Sequence, residues 1–165
     1  MKTMFYATAA GVWIADYLSK WAVRSHMQLH EARELIPGCL RLSYIQNSGI
    51  AFGLWNDGHS PWKPYLLAAL AVVAVVVILV YQSRVPAHRR RLRTALAITL
   101  GGIFGNFVDR IAQGYVVDFI ELHAGNVFFW PTFNIADSAI TAGIVLLLID
   151  TMKHPEMAAE PELQE

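Results

Sequence analysis

Cysteine is nearly absent from this chain. Cys39 stands alone, so no intrachain disulfide can form. No histidine is arranged to activate that thiol, and it reads as a packing residue. Charge is scarce as well: 16% of the 165 residues are charged, and 13 basic residues balance 13 acidic ones. With no net charge there is no electrostatic footprint for nucleic acid, and no nucleic-acid partner is expected. The histidines at 26, 30, 59, 88, 123 and 154 show no metal-ligand spacing at a matched depth. His26 and His30, four apart, read as interfacial, so no metal is expected. No internal repeat is present.

What is present is apolar. The chain is 55% hydrophobic with a mean hydropathy of +0.39, which places it in the membrane class. Four segments approach the roughly 20 residues a bilayer span needs: about 4–23, 64–83, 94–111 and 134–152. The clearest, "PYLLAALAVVAVVVILVYQS" at 64–83, carries no charge. The first begins like a secretory signal, with one Lys and an apolar run. No small-residue cleavage site follows, so a retained helix is expected.

Between the second and third spans, "QSRVPAHRRRLR" holds five arginines in 12 residues. Beside a membrane helix such a run is a topological anchor on the cytoplasmic side. Both termini are then cytoplasmic, and 154–165 reads as a disordered acidic tail. The segments 25–62 and 112–133 face outward, and the latter has no Lys or Arg. Trp13, Trp21, Trp62, Tyr65, Tyr81 and Trp130 lie near span ends, where aromatic rings suit the headgroup layer.

The outward segment changes character at Pro37-Gly38, a turn signal. Leu40, Leu42 and Tyr44 alternate with Arg41 and Ser43 as in a short strand, and "IAFGLW" at 50–55 reads as a second strand or an interfacial loop. The fold expected is an all-α integral membrane protein of one domain, four transmembrane helices carrying a small extracytoplasmic β-rich platform over about 25–62.

The ionisable residues collect at the outer boundary. Asp16 and Lys20 close span one at i and i+4, the geometry of an ion pair, and Lys20 is near enough to the helix end to snorkel. Asp109 and Arg110 close span three. As sequence neighbours they point apart, so each needs another partner, and Arg110 suits a carboxylate or a lipid headgroup. Asp118 sits in "VVDFI", and Asp137 sits one turn inside span four in "FNIADSAI", after Asn134. A charged carboxylate at a bilayer centre costs about 2.5–3.5 kcal/mol on insertion scales, so intramembrane acids are functional candidates by default. Two readings of Asp137 stand on the residues alone. It is a helix N-terminal charge favoured by the dipole, or it shares one proton with Asp118 as a general acid–base pair. The glycines of "GGIFGN" at 101–106 follow no strand, and close helix packing explains them better than phosphate binding.

Taken together, "NSGIAFG" (47–53), "GGIFGNFVDR" (101–110), "VVDFI" (116–120) and "FNIADSAI" (133–140), with "DYLSK" (16–20) as a D-x-x-x-K block, resemble in order and spacing the blocks of bacterial lipoprotein signal peptidase, also called signal peptidase II. Tyr17 departs from that pattern, where a polar residue is common. The resemblance implies a cofactor-free aspartic endopeptidase of the bacterial inner membrane. Such enzymes remove the signal peptide from prolipoproteins, N-terminal to a cysteine that already carries a diacylglyceryl group. It implies Asp118 and Asp137 as the catalytic pair. Asn47, Asn106, Asn134, Arg110, Asp16, Lys20 and Asp109 match the other polar positions, as residues that position substrate or support the acids.

The expected partners are lipidated prolipoprotein and membrane phospholipid, with the protein acting as a monomer. Asn47 is expected to reach down from a platform lying over the site. A small transporter would instead spread its acids through the membrane depth, a presenilin-like peptidase would need a G-x-G-D block, and an assembly factor would tolerate loss of either acid.

Overall fold

The computed structural model describes residues 2–49 and 62–153. The elements run α1 (Lys2–His26), β1 (Ala32–Ile36), β2 (Leu40–Asn47), α2 (Lys63–Arg84), α3 (Arg90–Gln113), β3 (Val116–Ala124), β4 (Phe128–Phe129) and α4 (Ile135–Lys153). The expected strand or loop at 50–55 and the tail at 154–165 lie outside the described residues.

Among the described residues three helices, α2, α3 and α4, are long and apolar enough to cross a membrane. The helix α1, 25 residues long, is not one of them; Asp16, Ser19 and Lys20 interrupt its apolar run. Local chemistry sets the ends of the others. Pro64 opens α2, where its missing N–H costs nothing. Gly114, at φ 79°, closes α3 in the left-handed conformation that glycine adopts freely, and its N–H donates to the Arg110 carbonyl.

α3 is the central element and packs against each of the other three helices. Of its most apolar window 56% is buried, against 11% for α2, so most of α2's aliphatic surface faces outward, as lipid contact requires. The closeness of the packing comes from glycine. A Cβ at Gly101 would lie 2.5 Å from the Ala9 carbonyl oxygen on α1, and one at Gly102 would lie 2.5 Å from the Ala136 oxygen on α4. The reading of "GGIFGN" as a packing stretch therefore holds.

Four antiparallel strands form a sheet in the order β1-β2-β3-β4. The register pairs Arg41 with Glu121, Ile45 with Asp118 and Asn47 with Val116, with a bulge between Leu42 and Ile45. Here the structure corrects the expectation, which confined the β-rich platform to about 25–62 and expected no strand in 112–133. The nine-residue β3 is the strand that carries Asp118. Val116 to Phe119 are all buried, and a strand covered on both faces shows no polar–apolar alternation to betray it. Val117 and Phe119 pack with Val23, Met27 and Tyr44 into a cluster that seats the sheet on α1. Cys39, expected to pack, is instead exposed in the β1–β2 turn, because Pro37-Gly38 places the tip of the hairpin outside any core.

Gly102→Ala should lower the thermal midpoint in detergent, at a cost of about 1–3 kcal/mol, because a backbone carbonyl on α4 must move. Gly11→Ala, with nothing within 4 Å of its Cβ, should be neutral or stabilising. Equal effects from the two would mean that α3 and α4 are not in this contact.

Candidate active site

The two acids come from different elements. Asp137 is the third residue of α4, and Asn134 precedes that helix as its cap. The Asn134 Oδ1 accepts from the Asp137 N–H at 2.9 Å, and Asp137 Oδ2 accepts from the Asn134 N–H at 3.3 Å. This is a reciprocal capping box, which satisfies two N–H groups that a helix start leaves open. A third such group, the Ala136 N–H, donates to Asp16 Oδ1 at 2.9 Å. α1 thus supplies part of the cap of α4.

Asp118 projects from β3 into the same region. Its Oδ1 accepts from Asn134 Nδ2 at 2.7 Å and its Oδ2 from Asn47 Nδ2 at 2.8 Å. Asn134, wholly buried, therefore holds the Asp137 amide with its oxygen and the Asp118 carboxyl with its nitrogen. Asn47 is oriented in the same way, since its Oδ1 accepts from the Gly49 N–H at 2.8 Å.

Asn106 repeats the pattern from α3. Its Nδ2 donates to Asp137 Oδ1 at 2.8 Å, and its Oδ1 accepts from Lys20 Nζ at 2.9 Å. The Lys20 ammonium also meets Asp16 Oδ2 at 2.7 Å and Asp109 Oδ2 at 2.9 Å. Three acceptors match its three protons. With Lys20 and Asp16 each 1% exposed, snorkelling is ruled out for Lys20; two buried carboxylates and an amide hold it inward. Because an ammonium only donates, Lys20 also dictates which end of the Asn106 amide faces Asp137.

Among the described residues Arg110 clamps no carboxylate, contrary to one of its two sequence readings. Its Nη1 and Nη2 donate to the backbone oxygens of Asn106 at 3.2 Å and Gly49 at 3.0 Å, which ties α3 to the end of β2. Its charge still acts on the acids through space. Asp109, left needing a partner by the sequence, finds Lys20.

Burial, first, and the neighbouring Asp137 charge, second, push the Asp118 carboxyl up to about 7; the amides of Asn47 and Asn134 and the Lys20 charge oppose the shift. A carboxyl that keeps its proton near neutral pH beside a second buried carboxyl suits the site to acid–base work on a bound water. All nine residues singled out in the sequence meet in this network. What the sequence reading missed was the orientation of the amides. The D-x-x-x-K spacing reveals an ion pair, and nothing in it shows that Lys20 reaches Asn106, 86 positions away. Among the described residues no group of three or more His, Cys, Asp or Glu side chains converges to hold a metal ion.

Comparison with known proteins finds one family and one fold. The family described as signal peptidase (SPase) II matches residues 8–153. A protein named lipoprotein signal peptidase from Ectopseudomonas mendocina (strain ymp) is 37% identical over 147 residues, 89% of this chain and 86% of that protein. Its namesake from Solibacter usitatus (strain Ellin6076) is 36% identical over 154 residues, 93% of both chains. Two solved structures, each described as a bacterial membrane enzyme, share the fold. One has a TM-score of 0.83 at 26% identity, covering 98% of this chain and 95% of the other. The second has a TM-score of 0.79 at 28% identity, covering 92% and 94%.

The raised Asp118 carboxyl has a consequence for stability. The folded protein keeps that proton up to about pH 7, whereas an unperturbed carboxyl loses it near 3.8. Between those values the native state binds more protons than the unfolded chain, so stability falls as pH rises. Asp118→Asn should flatten that slope and raise the thermal midpoint at pH 8 more than at pH 5. An unchanged slope in the variant would show that Asp118 does not carry the shifted proton.

Proposed function

The chain belongs to the signal peptidase II family, and from that premise we propose that Asp118 and Asp137 are the catalytic pair of this membrane aspartic endopeptidase. The protein removes signal peptides from prolipoproteins. The observation that carries the assignment is the bridge through Asn134, one buried amide bonded both to the Asp118 carboxyl and to the Asp137 backbone.

The roles follow from the surroundings. Asp118 holds the shared proton and is the acid that hydrogen-bonds the scissile carbonyl. Asp137, at the positive end of α4 and facing the charges of Lys20 and Arg110, is the base that takes a proton from water. The hydroxide so formed attacks the carbonyl carbon, and Asp118 protonates the carbonyl oxygen. Asp137 then returns its proton to the leaving amine as the C–N bond breaks, and the proton of the diol's hydroxyl passes back to Asp118. Asn47, Asn106 and Asn134 keep both carboxyls fixed through these transfers. No cofactor is required by this chemistry.

The same geometry supports a membrane setting. Asp109 lies 19 residues beyond Arg90, so at 1.5 Å per residue α3 separates the arginine-rich loop from the acids by about 28 Å, close to a hydrocarbon core. α1 packs along α3 and serves as a fourth span, which gives a single membrane domain with both termini cytoplasmic. The acids then lie at the extracytoplasmic interface of the inner membrane, beneath the sheet. A substrate with a transmembrane signal helix and a diacylglyceryl cysteine reaches them laterally, and the cut falls N-terminal to that cysteine. One chain supplies the complete network, so the enzyme works as a monomer surrounded by phospholipid.

Cleavage of a diacylglyceryl-modified prolipoprotein in detergent tests the pair. Asp118→Asn and Asp137→Asn, each confirmed to fold, should lose about 10²–10⁴-fold or more in rate. Near wild-type cutting by either variant removes that residue from the chemistry. The wild-type rate should also fall as pH rises above about 7, where Asp118 gives up its proton; a rate that keeps rising through pH 9 would contradict its role as the acid.

A further inference from the structure

At the end of the bundle opposite the acids, α1 and α3 enclose a groove of about 250 Å³. Met4, Phe5 and Thr8 form one wall and Ala97 the floor, and Arg90 and Arg93 from the first turns of α3 stand at its mouth. Arg24, Arg41, Arg89 and Arg110 each have a bonded partner. Among the described residues the guanidinium groups of Arg90 and Arg93 have neither a hydrogen bond nor an ion pair; only their backbone N–H groups are bonded. No acid lines the groove, and none lies in the first turn of α3. The acid of the neighbouring α3–α4 groove, Asp150, is bonded to Arg89.

We propose that this groove binds an anionic phospholipid, its phosphate held between Arg90 and Arg93 and one acyl chain laid along the seam of α1 and α3. The charge of the mouth selects the headgroup. Two guanidiniums without counterions match a phosphodiester, and they repel the ammonium of a zwitterionic lipid. The apolar walls select a lipid over a soluble phosphate, which has no surface to place against Met4 and Phe5. The depth is also right, because Arg90 lies at the boundary of the leaflet opposite the acids. A lipid seated there clamps the start of α1 to α3, whose far ends meet through Lys20, Asp16 and Asp109.

Native mass spectrometry of the full chain in detergent tests this, with phosphatidylglycerol, phosphatidylcholine of the same chains, and glycerol phosphate as probes. Wild type should retain one phosphatidylglycerol, and neither other probe should displace it. Arg90→Gln/Arg93→Gln should weaken binding roughly thirtyfold, the expectation for two arginines at an anionic headgroup. Arg84→Gln/Arg91→Gln, which removes equal charge outside the groove, should leave it unchanged. Thr8→Phe, which fills the wall and keeps every charge, should weaken it too. If the double variant loses its fold, Arg93→Gln alone should shift binding in the same direction. Equal losses in the two arginine pairs, displacement by glycerol phosphate, or no effect of Thr8→Phe would overturn the proposal. Each of those outcomes leaves the peptidase assignment intact, since no variant touches the acids.

Discussion

Four carboxyl groups, Asp16, Asp109, Asp118 and Asp137, are buried together at one end of a helix bundle, and the rest of the structure answers the cost of burying them. Taking a charge out of water is tolerated only where it is paired or given N–H donors. Lys20 neutralises the lower part of the cluster by spending all three of its protons on Asp16, Asp109 and Asn106. Asn106, Asn134 and Asn47 then each turn an NH2 toward Asp137 or Asp118, with the opposite oxygen held by an ammonium or a backbone N–H. None of these three amides can flip without losing a bond at both ends.

Such a network is worth building only when complete, because a partly satisfied one is more costly than an apolar core. Completeness requires the helices to come close, and glycine allows that. A Cβ at Gly105 would fall 2.5 Å from Asp16 Oδ2, so the residue that lets α1 approach α3 is also the one that gives the Asp16 carboxylate its place. From there Asp16 reaches the Ala136 N–H and helps to start α4, one residue before Asp137. Helix packing, helix capping and placement of the acid are thus a single arrangement. The sheet closes it from above, through Asp118 and Asn47 on paired strands and through the bond from Arg110 to the Gly49 carbonyl.

The parts of this that were legible in the sequence share a physical character. Spans two to four were readable because lipid solvation demands long apolar runs, and the paired role of Asp16 and Lys20 because i and i+4 fall on one helix face. The special standing of Asp137 was visible because an acid one turn inside an apolar helix needs a reason. β3 stayed hidden because "VVDFI" is covered on both faces and so lacks alternation. Cys39 was misplaced because an apolar residue beside a Pro-Gly turn has no period from which its burial can be read.

The sequence by itself determined the solvent, the helix lengths, the charge asymmetry between the two ends and the identity of the ionisable groups, since each depends on composition or on contacts within a few residues. Tertiary structure alone decided where Lys20 points, which end of each asparagine amide faces an acid, and that Asp118 and Asp137 share one buried pocket. Those depend on contacts between residues 16 to 120 positions apart. Only packing α1, α3, α4 and β3 around the glycines of α3 brings such residues within hydrogen-bonding distance.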